Sequence, residues 1–507
     1  DFAFAIWDKP KRQLFCARDI LGLKPFHYAF DQKRFVFGSD LRQVAACPGV
    51  DLAPNEAIMA EYLANNITSR SGTLHRGISR LPAAHYMIVK PSGLTLEKYW
   101  DIDTDNILRY SSDQEYADHF LSIFQKCITS RIDVNRKVGV FLSGGMDSSC
   151  VAAMASKILR GQKEKHALYS ASLLFDGLSC DETPQIRQAI DTWNTKPLIQ
   201  QFNAPVPGYF QALVDEWQDF PDYPNLTAYQ SLESEASGKG VDIWLSGSGA
   251  DDWLDIWDAG YPDMIREIAL DAMQQHFQTI NRQYGLRYAS KNAIKQCMLG
   301  VLPNSTLEIY RRIRRSPSKS VPMWLDKEFA TRVGLATLTK TNRQKAFRYH
   351  GQRNLYDWLQ HGYLSHFIEA EERVSTREGI ESRMPFYDRR IIEFGFSLPP
   401  DYKWGRSDRK PVIRHALKKM QRGNQSQGFS RAEGSPMYLA ALESLGGLHF
   451  FRHLKIAEYG FIDASKVEYI YERMQSLHTA DDIRYANLTR PLWMIAGIEL
   501  WYNRCVN

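Results

Sequence analysis

The chain has 507 residues, of which 44% are hydrophobic and 24% charged, with a formal net charge of +5. That length exceeds a single compact core and predicts at least two domains, while the composition argues against a disordered, collagen-like or membrane-embedded chain. The positive excess is slight and scattered, so nothing in it suggests nucleic acid or a membrane surface as a partner.

Seven cysteines, Cys16, Cys47, Cys127, Cys150, Cys180, Cys297 and Cys505, are widely spaced and form no C-x-x-C pair. They predict neither a disulfide framework nor a zinc site and fit a reducing cytoplasm. No apolar run reaches the length of about eighteen residues that a spanning helix needs. The first residues lack the charged start and cleavage site of a signal peptide. The sequence opens at Asp1 inside a strand-like alternation, the expected look of a fragment or processed form.

In chain order, short strands and turns come first. Strands are expected at Phe2 to Trp7, Gln13 to Ala17 and Phe26 to Phe30, separated by Asp8-Lys-Pro-Lys and by Arg18 to Pro25. A further strand pair is expected around Phe35 to Phe37 and His85 to Val89, with a helix over 56–64 between them. A polar linker over 103–114 then leads into an amphipathic helix over 115–131, which predicts a first domain at 1–105 and a second at 115–507. Strands over 138–142, 167–175, 197–202 and 241–246 alternate with helices over 148–159, 182–194 and 226–238. Such alternation predicts a parallel sheet covered on both faces. From about residue 258 onward the pattern is mostly helical, and it includes the basic run Tyr310-Arg-Arg-Ile-Arg-Arg315, read as a solvated helix face, and a turn at Ser316-Pro-Ser-Lys.

The chemistry is written after the strand at 138–142. Ser143-Gly-Gly-Met-Asp-Ser-Ser149 places two adjacent glycines, three serines and a helix start together, the parts of an anion cradle built from backbone N–H groups and hydroxyls. A bare Gly-Gly would fit equally well an Asp/Ser helix cap after a tight turn; the full string between strand and helix favours phosphate. Asp147 within the loop makes sense as a Mg²⁺ ligand bridging the phosphates. The absence of G-K-[ST] excludes a Walker-A loop.

Leu142-Ser-Gly-Gly-Met-Asp-Ser-Ser149 resembles the PP-loop of ATP pyrophosphatases, and its surroundings are similar to the asparagine synthetase family. The resemblance takes in Leu245-Ser-Gly-Ser-Gly-Ala-Asp-Asp-Trp-Leu254, the acidic pair Asp181-Glu182, Gly379-Ile-Glu-Ser-Arg-Met-Pro-Phe-Tyr-Asp388, and Arg409-Lys-Pro-Val-Ile-Arg414. At the N-terminus, Phe2 to Asp8, Ala17 to Pro25 and Phe37-Gly-Ser-Asp40 look like the later part of a class II glutamine amidotransferase domain. The implied fold is an antiparallel β-rich domain, then a PP-loop α/β sheet, then a helical C-terminal region.

The resemblance implies ATP with Mg²⁺ as cofactors, AMP and pyrophosphate as products, and an amide formed through an acyl-adenylate. It implies Lys410, Asp147 and Asp251 as catalytic, with Asp147 and Asp251 holding the metal. The nucleotide would be bound by Leu142, Ser143, Gly144, Gly145, Asp147, Ser148, Ser149, Leu174 and Gly247. The partners implied are a small-molecule or peptide carboxylate and glutamine or ammonia; a homodimer is left open. No cysteine fills the role of glutaminase nucleophile, and Cys16, within a strand, reads as a small buried thiol. Taken alone, Lys410 would be read as a surface lysine and Asp388 as a turn or cap residue. Glu381 and Arg383 fit a structural ion pair at a helix end as well as a direct role in the site.

Two departures from the family matter. Ser248 stands where asparagine synthetases carry a glutamate, and a hydroxyl cannot replace a carboxylate as a base near neutral pH. Relatives that close rings, such as β-lactam synthetases and lasso-peptide cyclases, vary at this position because their substrate carries the attacking amine. The Trp- and Arg-containing stretch over 255–343 also differs. Glu369, Glu371 and Glu372 offer a replacement base or, more commonly for such a cluster, an exposed helix face.

Overall fold

The computed structural model describes residues 1–133, 135–161, 167–178, 180–221, 223–255, 261–301, 321–338, 345, 347–403, 409–421 and 434–506. The basic run at 310–315 and the turn at 316–319 lie outside the described residues, as does part of 255–343.

Seven strands open the chain: β1 (Ala3–Asp8), β2 (Gln13–Arg18), β3 (His27–Phe30), β4 (Phe35–Gly38), β5 (Ser79–Arg80), β6 (His85–Lys90) and β7 (Gly93–Lys98). They form two antiparallel sheets, ordered β1-β2-β6-β7 and β4-β3-β5. Between them lies a small core of Cys16, Phe26, Leu81, Met87 and Val89. Cys16 is the expected buried thiol, and burial pushes its pKa up to about 12. One expectation needs correction. Phe35–Gly38 does not pair with His85–Lys90; it returns on β3 through a tight turn in which Asp31 accepts the backbone N–H groups of Lys33 and Arg34. His85–Lys90 is instead sandwiched between β2 and β7. Nearby contacts along the chain close first because their loop-closure cost is smallest.

α1 (Glu56–Leu63) begins at the Asn55 cap and buries most of its residues. α2 (Asp113–Thr129) starts at Ser112, whose side chain accepts from Glu115 N–H, and puts Tyr116, Phe120, Phe124 and Cys127 on one buried face at helical spacing.

The third sheet is parallel. β8 (Lys137–Phe141), β9 (Tyr169–Leu174), β10 (Lys196–Gln201), β11 (Val241–Leu245) and β12 (Glu381–Arg383) run in the order β10-β9-β8-β11-β12. Val138, Val140, Ala171, Ile243 and Leu245 are buried, as expected of strands covered on both faces by helices. The covering helices include α3 (Met146–Arg160), α4 (Thr183–Trp193) and α5 (Gln230–Gly238). From β8 the chain winds one way through β9 and β10, then crosses to β11 on the other side. The connections after β8 and β11 therefore part in opposite directions, which opens a crevice at the carboxyl edge of the sheet, the place where such folds bind ligands.

β12 corrects another expectation: Glu381 and Arg383 sit on an edge strand paired with β11, not at a helix end. The ion pair itself is present. Arg383 Nε and Nη2 donate to Glu381 at 2.9 and 2.8 Å, and Arg136 Nη1 adds a third bond at 3.0 Å. Bonds from Arg383, despite partial burial, hold that carboxyl down at about 2.

The remainder is helical. α6 (Ala250–Leu254), α7 (Gly362–Arg377), α8 (Arg389–Ser397) and α9 (Pro411–Met420) surround the carboxyl edge of the parallel sheet, and α10 (Ala486–Val506) closes the chain. Asp388 caps α8, accepting from Arg390 N–H, as a cap residue should. No described helix is long and apolar enough to cross a membrane. The seven cysteines are all free.

Candidate active site

The crevice between β8 and β11 is floored by two loops. The first leaves β8 at Leu142 and enters α3, with Gly145 at the cap position. Its turn is tied from within: Ser148 Oγ accepts from Ser143 N–H at 3.1 Å and lies 3.0 Å from Ser143 Oγ, while Ser143 Oγ accepts from Gly145 N–H at 3.2 Å. Ser149 is fully buried, with Oγ unpartnered among the described residues. The second loop follows β11. A Cβ on Gly247 would meet the Ser148 backbone nitrogen at 2.8 Å, so only glycine lets the two loops touch. Gly249 turns at φ +99° into α6, against the ring of Tyr387. Ser248 carries its hydroxyl into the crevice, 2.8 Å from Ser246 Oγ.

Lys410 closes the site from a third direction. It is not the surface lysine its residue type suggests: its side chain is 7% exposed, and Nζ lies 2.5 Å from Asp147 Oδ2 and 2.6 Å from Asp251 Oδ1. Burial opposes the charge of Lys410, but Asp147 and Asp251 more than offset it and raise its pKa. Lys410 holds φ +49° and ψ +57° at the start of α9, a left-handed conformation that costs a non-glycine residue roughly 1–2 kcal/mol. Backbone strain of this kind persists where surrounding structure fixes it, often at functional positions. Arg409 extends the charge network by pairing with Asp255 and lying 3.7 Å from Asp251.

Asp147 Oδ1 is buried and unpartnered among the described residues. Burial pushes this carboxyl up to about 6, against the pull of Lys410, and the like charge of Asp251 adds to the rise. Asp251 is the open member of the pair, 47% exposed. Two carboxylates with a free oxygen beside a phosphate cradle fit Mg²⁺, which is commonly held by one or two carboxylates plus substrate phosphates. Among the described residues no group of three or more His, Cys, Asp or Glu side chains could hold a metal by itself.

The structure thus brings Leu142, Ser143, Asp147, Ser148, Gly247 and Asp251 to one cavity of about 360 Å³ and sets Lys410 upon its two aspartates. Leu174 is buried at the end of β9 and Ser149 lies beneath the loop; neither lines the cavity. Asp181 is taken up by Thr183, whose N–H and Oγ1 both donate to it, at the start of α4.

The glutamate cluster of α7 is not an exposed face. Glu369 is buried between Arg18, at 2.9 Å, and Arg80, at 2.6 Å; Glu372 pairs with Lys24. Only Glu371 reaches the cavity, where Tyr223 Oη donates to it at 2.5 Å. The far wall also includes Asn225, Tyr229, Glu233 and Phe367, none of them singled out by motif. No sequence signal marked Glu233, which sits among Gln230, Ser231, Ser234 and Glu235 on a mostly polar helix.

A phosphate loop at a parallel switch point, facing a buried lysine and two aspartates, defines a nucleotide-binding α/β protein of PP-loop type. The model of the asparagine synthase family matches residues 119–503, and that of a glutamine amidotransferase domain matches residues 1–100. The chain belongs to the asparagine synthase family. It is 24% identical over 82% of its length to asparagine synthetase [glutamine-hydrolyzing] 3 of Bacillus subtilis, and 28% identical over 50% to a putative asparagine synthetase [glutamine-hydrolyzing] 2 of Methanocaldococcus jannaschii. It is also 23% identical over 80% of its length to amidase chyE of Penicillium rubens. These matches span 64%, 48% and 64% of the respective relatives.

Proposed function

We propose that the chain catalyses ATP-dependent amide-bond formation through an acyl-adenylate, releasing AMP and pyrophosphate, with residues 1–105 and 115–507 as its two domains. The observation that carries this is the placement of Lys410 Nζ on both Asp147 and Asp251 at the mouth of the 143–149 loop. A carboxylate oxygen of the acceptor attacks the α-phosphorus of ATP and the bond to the β-phosphate oxygen breaks, so pyrophosphate leaves. An amine then attacks the acyl carbon, loses a proton, and AMP departs with the electrons of the acyl–oxygen bond.

Ser143, Gly144, Gly145 and Ser148 would cradle the leaving pyrophosphate, with the hydroxyls of Ser143 and Ser148 as donors. Lys410, a compact cation on a flexible four-carbon stem, stabilises the negative charge that develops around the α-phosphate. Asp147 and Asp251 would hold Mg²⁺, which when bound supplies charge neutralisation to the phosphates. Leu142 and Gly247 bound the nucleotide, Gly247 by letting the second loop lie against Ser148.

With residues 1–100 matching a glutamine amidotransferase model, glutamine-derived ammonia is one source of the amine. An amine within the acceptor is the second, favoured by the hydroxyl of Ser248 in the cavity, where the family resemblance implies a carboxylate base. The test is AMP and pyrophosphate release from ATP and Mg²⁺ by the wild type and Asp147→Ala, with aspartate plus ammonia and then with other carboxylates. Release that depends on a carboxylate and is lost in the variant supports the reading. Nucleotide binding with no release on any carboxylate would make the chain a nucleotide-binding scaffold instead.

A further inference from the structure

We propose that the wall of the cavity opposite the phosphate loop is a subsite for a monocarboxylate acceptor bearing a cationic group, an ammonium or guanidinium, seated on Glu233 and Glu371. The inference rests on the adenylation reading above and names the class of acceptor for the same site.

The wall is built from α5, α7 and the segment at 223–229. Glu233 and Glu371 belong to different helices and both line the cavity. Ser375 Oγ donates to Glu233 Oε1 at 2.7 Å, but Glu233 Oε2, buried, has no partner among the described residues. Glu233 is only 2% exposed, so bulk water does not satisfy that oxygen. Asn225 Oδ1 is a second buried acceptor without a partner among the described residues. Buried polar atoms are almost always paired, and one left over marks a place where a donor belongs. Here the unsatisfied atoms are acceptors, and an ammonium or guanidinium supplies donors alone.

The surroundings favour a positive guest for a separate reason. Tyr223 and Phe367 stack at 5.4 Å with their planes 22° apart, and Tyr229 packs edge-on against Phe141 at 5.3 Å. Aromatic faces attract a cation, more strongly when it is desolvated. No described residue lining the cavity is Lys, Arg or His. A dicarboxylate with no cationic group, such as glutarate, would therefore bring its second carboxylate against Glu233 and Glu371 with no cation to balance it. Burial pushes the Glu233 carboxyl up to about 8 and raises that of Glu371, a state that a positive partner relieves.

The experiment is calorimetric titration of the whole chain, pre-loaded with Mg²⁺ and a non-hydrolysable ATP analogue, with four probes of similar length: 5-aminopentanoate, 4-guanidinobutanoate, pentanoate and glutarate. The two cationic probes are expected to bind at least tenfold more tightly than pentanoate or glutarate. In the Glu233→Gln/Glu371→Gln variant that advantage should disappear while affinity for the ATP analogue is kept, which also reports that the variant is folded. Equal or tighter binding of glutarate or pentanoate overturns the inference, as does an advantage that survives in the variant or an absence of binding by every probe. Failure of the adenylation reading has a different signature: no binding of the ATP analogue, or no pyrophosphate release with any carboxylate.

Discussion

Arg18 and Glu369 stand 351 residues apart in sequence and 2.9 Å apart in space, the guanidinium Nη2 donating to carboxylate Oε1. Arg80 Nε takes the other oxygen at 2.6 Å, so one carboxylate from α7 fastens both antiparallel sheets to the helical shell. Burial acts to raise the Glu369 pKa, but Arg80, His27 and Arg18 outweigh it and hold the carboxyl well below its ordinary range. Glu369→Ala leaves two guanidinium groups buried without their partner. Loss of one member of a buried pair costs about 3–5 kcal/mol. Urea denaturation should show a destabilisation of that order, with a smaller one for the exposed pair Arg389 and Glu393.

Lys410→Met and Asp147→Ala test the charge arrangement from its two ends. Removing a group that stabilises transition-state charge lowers turnover by about 10²–10³. ATP–pyrophosphate exchange should fall by at least that factor in each variant, with circular dichroism unchanged in Asp147→Ala because Asp147, in the first turn of α3, faces the cavity and contributes little to core packing. Full exchange activity in either variant removes that residue from the mechanism.

Gly247→Ala probes the contact between the two loops. The added methyl would meet Ser148 N at 2.8 Å, against backbone that cannot rotate aside. The phosphate loop must shift, and nucleotide affinity should drop by about tenfold or more, equivalent to roughly 1.4 kcal/mol. Fluorescence titration with a labelled ATP analogue measures it, and unaltered affinity would show that the loops can separate freely.

Asp388 gives a pH prediction. Burial alone would raise its carboxyl, but hydrogen bonds from Arg390 and the nearby Arg131 charge hold it well below the usual aspartate range. A carboxylate with a depressed folded-state pKa adds stability that is fully present above its unfolded value of about 3.9 and is lost as pH falls below it. The stability gap between wild type and Asp388→Asn should therefore be widest above about pH 5 and should close progressively below about pH 4. Denaturation midpoints followed from pH 3 to pH 7 would reveal a constant gap if the ion pairs contribute nothing.

Local pattern carried much of the fold. Strands such as Gln13–Arg18 and Val241–Leu245 announce themselves through apolar runs bounded by turn residues. The loop over 143–149 was legible as a turn between strand and helix because its glycines and serines are consecutive. Strand pairing was less so: nothing near Phe35 states that its partner is His27–Phe30 and not His85–Lys90, because that choice depends on turn closure as well as on periodicity. β12 was missed because three residues are too few to show a period. Glu369 and Glu371 looked like solvated charges because their partners, Arg18, Arg80 and Tyr223, come from distant parts of the chain. Lys410 could be found only through its motif, since nothing in its immediate neighbours reveals the two aspartates it meets.

The cavity draws its two halves from different stretches of chain. The phosphate cradle comes from the turns after β8 and β11, whereas the opposite wall comes from α5 and α7. On the proposed reading, substitutions at Glu233 or Glu371 would alter the acceptor wall and leave the loops after β8 and β11 in place. The two halves are thus separately mutable: helix positions can vary while the loops after β8 and β11 keep their contact through Gly247.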